Sequence, residues 1–481
     1  MVDLAAARLL VLPLLACACA ALPAGGGSDE GPAAETAPRT AADRRILDAA
    51  AAIERDIAAE RQRPFTRPVA KQVYTQEQLR QFVAAELAKP EAQREIAREQ
   101  AFLRAIGFLP PEVDLAELYQ QLFASQIAGF YDPADRTLRC ISTEIALVQR
   151  ITMVHEIYHA LQDQYVELEA FMEGAGELDL RTDRARSRQA VVEGDAQFFT
   201  MEIHLPRHRE SVTEDLTGQS PGALVGFGLG QVLASAAIPP YFVETLSWPY
   251  LSGAGFIRAL HSAGGWPAVD AAFERPPEST EQVLHPRKYL QGDDPPRSVE
   301  APIPAFAHGW EEVQRDTLGE AAIAALLRHL GHDPVHAARG SEGWGGDEAL
   351  LLKAPAGSHL LIWKIEWDSE RDAVQFAAAW RRVLMKQLEA GEDDDAPALV
   401  AEVAEGGGRF SVAARDAPPL PARWTGGFEL PAGAAACVGE RPGAPPTWLL
   451  LRGRQIVLLR GAVLEVLEPA QLAALAAELL P

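Results

Sequence analysis

Residues 151–164 read Ile151-Thr152-Met153-Val154-His155-Glu156-Ile157-Tyr158-His159-Ala160-Leu161-Gln162-Asp163-Gln164. Apolar residues recur there at helical spacing, interrupted chiefly by His155, Glu156 and His159, so a long buried helix is expected over about 144–164. Positions four apart share one helix face, one turn above the other. His155 and His159 can therefore direct two imidazoles at one tetrahedral Zn²⁺, at about 2.0–2.1 Å each. Glu156 sits beside them, placed to take a proton from a water without ligating. A chance His-Glu-x-x-His arises in roughly a few of every hundred chains of this length, so its surroundings must carry the reading. The plain alternative is a buried helix whose histidines bond neighbouring carboxylates.

A catalytic zinc needs a third protein ligand and an open position. Glu193, in Val191-Val192-Glu193-Gly194-Asp195-Ala196, lies 34 residues after His159, within a helix expected over about 182–203. Ala190 and Ala196 share its face and Val192 and Phe199 flank it, so that face should be buried, where a lone carboxylate is costly unless paired or metal-bound. Gly194 costs a helix interior about 1 kcal/mol relative to Ala. Close approach of another backbone would explain it, as when this helix packs on the one carrying His155 and His159. Asp195 points about 200° away and reads as a supporting carboxylate. Glu173 and Glu177, in a loop expected over 166–180, are weaker competitors for the ligand position.

Working outward, residues 127–131 and 137–142 are β-rich runs joined by Asp132-Pro133-Ala134-Asp135, which predicts a hairpin just before the histidine helix. Upstream, helices are expected over about 41–61, 75–88, 91–106 and from Asp114. Downstream, short helices are expected over 256–261 and 266–273, around the Gly264-Gly265 turn, with an irregular segment to about residue 304. Beyond it, a helix over 318–330, strands near 349–353, 359–367, 409–414, 448–451 and 455–459, a helix through Ala373, Phe376 and Trp380, and a terminal helix over 469–480 form a separate module. The fold class is α+β and mainly helical.

The chain's 481 residues favour about three units. It is 48% hydrophobic and 23% charged, ordinary for a globular protein. Its net charge of −23, from 44 basic and 67 acidic residues, argues against nucleic-acid partners. Residues 9–16 form a short apolar core after Arg8, read as a secretory signal. Leu14-Leu15-Ala16-Cys17 resembles a bacterial lipobox, with Cys19 a second register. Residues 1–19 are thus the expected signal and 20–42, rich in Ala, Gly, Pro, Ser and Thr, a flexible tether. Residues 43–300 would be the metal-bearing domain and 301–481 a smaller α+β module of unknown role. Lipidation at Cys17 would fix the protein to a membrane at the bacterial cell envelope, on a periplasmic or cell-surface face. Of the four cysteines, Cys140 and Cys437 could pair in an oxidising compartment or remain free buried thiols.

His-Glu-x-x-His followed by Glu-Gly-x-Ala resembles the gluzincin metallopeptidases. That resemblance implies a zincin-like catalytic domain with His155, His159 and Glu193 as zinc ligands and Glu156 as general base. It also matches the hairpin to the edge strand along which such enzymes align an extended peptide. The runs Ala128-Gly129-Phe130-Tyr131-Asp132-Pro133, His159-Ala160-Leu161-Gln162-Asp163-Gln164, Val192-Glu193-Gly194-Asp195-Ala196 and Ser279-Thr280-Glu281-Gln282-Val283-Leu284-His285-Pro286 are similar to a family of uncharacterised bacterial predicted zinc peptidases, often secreted or lipid-anchored, over roughly residues 70–380. Gluzincins steady the oxyanion with a downstream Tyr or His. His285 is the first candidate here, followed by Tyr289 and Tyr250. The expectation is a zinc-dependent, membrane-tethered peptidase acting on peptides or proteins. Its rival is a non-catalytic envelope lipoprotein with a structural or vestigial metal site and a partner-binding C-terminal module. A third possibility is a precursor whose loop 166–180 covers the cleft until cut. His329, His332 and His336 read as a solvated helix end, and Trp344, Trp363 and Trp367 as core rather than a substrate platform.

Overall fold

The computed structural model describes residues 40–125, 129–141, 147–173, 182–208, 239–292, 294–389, 399–403, 411–412, 434–441, 444–465, 467 and 469–480. The expected signal and nearly all of the expected tether lie outside these residues. Among them, no helix is long and apolar enough to cross a membrane. The architecture is α+β and mainly helical, with two sheets.

Helix α1 (Ala41–Arg61) opens on a capping box in which Thr40 and Asp43 each accept the other's backbone N–H. Strand β1 (Ala70–Tyr74) precedes α2 (Gln76–Leu87), capped reciprocally by Thr75 and Gln78, then α3 (Pro90–Ile106) and α4 (Leu115–Ser125). The expected hairpin is present as β2 (Gly129–Asp132) and β3 (Thr137–Ile141), paired antiparallel. Strand β1 adds to β3 in parallel, which local sequence did not announce, and leaves β2 at an edge in the order β1-β3-β2.

The histidine helix is α5 (Leu147–Val166), packed against β2 and α1. The segment expected as a loop carries a short helix, α6 (Leu168–Glu173). Helix α7 (Thr182–Phe198) runs on into a π-helical stretch, Phe199–His204, and the brief α8 (Leu205–Arg207). The two short helices expected around Gly264-Gly265 belong to one long element, α9 (Pro240–Glu274), broken where Gly264 and Gly265 leave helical geometry. Gly265 has φ 64°, a left-handed conformation that favours glycine. α10 (Thr280–Leu284) and α11 (Pro286–Gln291) follow.

The C-terminal half is built on an eight-stranded antiparallel sheet in the order β4-β5-β6-β11-β10-β9-β7-β8. Its strands are β4 (Glu311–Asp316), β5 (Trp344–Lys353), β6 (His359–Trp367), β7 (Leu399–Val403), β8 (Ser411–Val412), β9 (Ala434–Arg441), β10 (Ala444–Arg452) and β11 (Gln455–Arg460). Helices α12 (Gly319–His329), α13 (Pro334–Ser341), α14 (Glu370–Glu389) and α15 (Pro469–Leu479) accompany it. Successive side chains of a strand face opposite ways, so one strand serves two cores. Leu361, Trp363 and Ile365 join a core with α12 and α14, whereas Leu360 and Ile362 join Trp448, Leu450 and the α15 residues Leu475 and Leu479. Trp344, Trp363 and Trp367 are fully buried, so they form core and present no platform to substrate.

The first of these cores also contains Ile96, Phe102 and Ile106 of α3 and Leu115 and Leu118 of α4. Helices from before the expected boundary at residue 300 therefore pack onto the C-terminal sheet and share its apolar core. Two further cores surround the histidine helix. Ile46, Ile53 and Ile57 of α1 pack with Val154, Ile157 and Leu161 of α5 in one, and Val191 and Val192 of α7 with Ile257 and Leu260 of α9 in the other.

Candidate metal centre

Helices α5 and α7 bring His155, His159 and Glu193 together. His155 Nε2 lies 2.9 Å from His159 Nε2 and 3.1 Å from Glu193 Oε2, and His159 Nε2 lies 3.4 Å from the same oxygen. Ligand atoms held at about 2.0–2.1 Å around a tetrahedral ion stand about 3.3 Å apart. The three donors stand near that spacing and could hold a metal ion. All are buried, with His159 0% and Glu193 1% exposed. Among the described residues, no fourth side chain joins this group. Glu173 ends α6, and Glu177 lies outside the described residues.

The tautomer of His159 follows from its neighbours. Gln162, one turn on along α5, donates through Nε2 to Val192 O (3.1 Å) and to Asp195 Oδ2 (2.9 Å), so its Oε1 is the atom turned to His159. That oxygen can only accept, and it lies 2.7 Å from His159 Nδ1. The proton is therefore on Nδ1, and the Nε2 lone pair faces His155 and Glu193. This is the usual way a second group fixes a ligating imidazole. Asp195 accepts in turn from Tyr158 OH (3.0 Å), which accepts from Arg61 Nε of α1 (2.8 Å). Asp195 is thus the supporting carboxylate its helical position implied. Gln162, Tyr158 and Arg61 were not singled out from sequence. Gln162 sits three residues after His159 on the same helix and was within reach of that reasoning, whereas Arg61 needs the tertiary contact between α1 and α5.

The electrostatics are those of a site that wants a cation. Burial pushes the Glu193 carboxyl up, but the two imidazoles outweigh it and hold the group down at about 2. Burial, with the neighbouring His159, lowers His155. Burial also lowers His159, but Glu193 outweighs it and the net shift is upward. Glu156 is pushed up to about 8 by burial, with Glu193 adding to the rise. Its Oε2 accepts the backbone N–H of Tyr131 at 3.0 Å. Tyr131 N–H points away from β3 at the sheet edge, so that edge of β2 faces Glu156.

Gly194 makes the close approach its position implied, but with a different partner. A Cβ there would stand 2.2 Å from the backbone carbon of Gly253 in α9, and one on Gly253 would stand 2.2 Å from Ala190 O. The helix packed tightly against α7 is α9, not α5. It brings Tyr250 to the site: the Tyr250 ring lies 5.7 Å from the His155 ring, centroid to centroid.

The first oxyanion candidate is engaged elsewhere. His285 Nε2 is 3.0 Å from Glu320 of α12, and none of its contacts is with the three donors. Tyr289 OH donates to Arg275 O at 2.7 Å. Of the three candidates, the structure brings Tyr250 to the metal group. His332 is buried against α14, Nε2 lying 3.0 Å from Ala379 O, rather than solvated as expected, and His336 pairs with Asp333, so these do not gather around an ion. Cys140 is a free, buried thiol in β3, pushed up to about 12 by burial.

A family model described as a domain of unknown function (DUF8575) matches residues 306–417, within the C-terminal half. No curated protein and no solved structure matches the chain.

Proposed function

We propose that the protein is a zinc-dependent hydrolase, a peptidase tethered to the bacterial envelope through Cys17, with a zincin-like catalytic domain. The observation that carries this reading is the convergence of His155, His159 and Glu193 at ligand spacing, with Glu156 alongside and the edge of β2 facing it. His155, His159 and Glu193 would hold a zinc ion, which would supply Lewis acidity at the attacked carbonyl.

The chain's own residues supply the rest. An extended peptide aligns along the edge of β2 that faces away from β3 and places its carbonyl between Glu156 and Tyr250. Glu156 takes the proton of the attacking water and returns it to the leaving amine. The phenol of Tyr250, not His285, steadies the oxyanion. Gln162 and Asp195 keep the His159 lone pair aimed at the ion.

One observation favours the rival reading of a structural site in a non-catalytic envelope lipoprotein: His155, Glu156, His159 and Glu193 are all at least nine-tenths buried. The two readings part on turnover. The purified mature protein, incubated with a peptide library, should cleave it, lose cleavage on chelation and regain it with zinc. Zinc binding with no cleavage of any peptide would favour the rival.

A further inference from the structure

A second group of donors lies at the far end of the α7–π-helix rod. Glu60 stands in the last turn of α1. His204 closes the π-helical stretch and His208 follows α8, four residues on. His204 Nδ1 is 3.0 Å from Glu60 Oε2, and His208 Nε2 is 2.9 Å from Glu60 Oε1. The donor atoms of the three side chains lie within 4.8 Å of one another. The rings are stacked, 4.2 Å between centroids and 23° apart in plane. His204 is fully buried, the Glu60 side chain is 11% exposed and His208 26%.

We propose that Glu60, His204 and His208 form a second transition-metal site, separate from the first, which clips α1 to the helix that carries Glu193. Each oxygen of the Glu60 carboxylate meets one imidazole nitrogen, His204 Nδ1 on Oε2 and His208 Nε2 on Oε1. Here a second ring is stacked on the first with its nitrogen aimed at the same carboxylate, so three donors from two elements converge. The opposite nitrogen of His204, Nε2, is buried without a partner, so the polar role of that ring falls on Nδ1. Asp56, one turn earlier on α1, adds its negative charge on His204. Nitrogen donors favour a first-row transition ion such as zinc over Mg²⁺ or Ca²⁺, which prefer all-oxygen shells. π-Helical turns recur at functional sites, and here one ends on a donor.

The placement gives the site a structural consequence. The residue after Glu60 is Arg61, whose Nε bonds Tyr158 and whose guanidinium lies over the Trp266 ring at 3.9 Å. An ion on Glu60 fixes the end of α1 and so holds Arg61 against the network that orients His159.

The test is zinc content of the full mature chain after equilibration with zinc and removal of weakly held ion. Wild type should retain about two zinc ions per chain, and Glu60→Gln or His208→Ala about one. His155→Ala should also retain about one, which His208→Ala in the same chain then removes. Magnesium in large excess should displace none of it. His208 is partly exposed, so its variant should keep its near-ultraviolet circular dichroism. Zinc content unchanged by both Glu60→Gln and His208→Ala overturns the proposal, as does a zinc in His155→Ala that His208→Ala leaves in place. Should wild type hold about one zinc, lost with His208→Ala but not with His155→Ala, this site stands and the first one fails.

Discussion

Gln162 Oε1 accepts the Nδ1 proton of His159 at 2.7 Å, and that contact decides which way the histidine's lone pair faces. The amide cannot turn over, because its nitrogen is held by Val192 O and Asp195. Replacing Gln162 with Leu keeps the volume but removes the acceptor. Loss of a partner behind a ligating histidine weakens metal binding by about 10–100-fold. Competition against a chromophoric chelator should give that loss, with the fold intact by circular dichroism. Unchanged affinity would mean the contact does not set the tautomer.

Tyr250 and His285 offer a contrast within one experiment. Tyr250→Phe keeps the ring against His155 and removes the phenol, so kcat should fall by about 10²–10³-fold with zinc content unchanged. His285→Ala should leave kcat near that of wild type. It strands the buried Glu320 carboxylate, so its effect should appear as a lower denaturation midpoint. The opposite pattern would return the oxyanion role to His285.

The contact of Gly194 with Gly253 leaves no room for a side chain on either helix. Gly194→Ala should part α7 from α9 and destabilise the protein by about 1–3 kcal/mol, read as a lower urea midpoint at unchanged m-value. Because Glu193 is the neighbouring residue, zinc affinity should fall as well. An unaltered midpoint would show that the helices are not in contact.

Asp183, near the start of α7, accepts from the backbone N–H of Thr280 at 3.2 Å and faces Gly319, where a Cβ would overlap its carboxylate. Burial pushes it up to about 8 from a usual value of 3.8. Between those values the native chain holds a proton that the unfolded chain releases. The native state binds more protons, so this group makes stability fall as pH rises from about 4 to about 8, by up to about 1.4 kcal/mol per pH unit. Asp183→Asn should flatten that part of the profile, measured as urea midpoints at about pH 5 and about pH 8. A slope equal to that of wild type would remove Asp183 as its source.

Local signals carried much of this reading. The helical spacing around His155 and the β-rich runs beside Asp132 each act within a few residues, so sequence exposes them. Strand β1 was missed because its partner, β3, lies more than sixty residues away and pairs in parallel. The break at Gly264-Gly265 was legible, since both residues leave helical geometry there, but the helix before it starts at Pro240 rather than near Phe256. The partner of Gly194 was misjudged because a glycine announces that a backbone is near, not which one. His285 was chosen for its place in the chain, and its partner Glu320 belongs to the far side of an irregular segment. The pairing of His204 with Glu60 likewise joins residues that only tertiary packing brings together.

The claim on which the rest depends is that Glu156 moves the proton at a site His155, His159 and Glu193 hold. Zinc content and peptide cleavage should be measured together for wild type, Glu156→Gln and His155→Ala. The expected result is that Glu156→Gln keeps its zinc at this site and loses cleavage by at least about 10²-fold, while His155→Ala loses both. Cleavage by Glu156→Gln at the wild-type rate, or wild-type zinc content in His155→Ala, would contradict it.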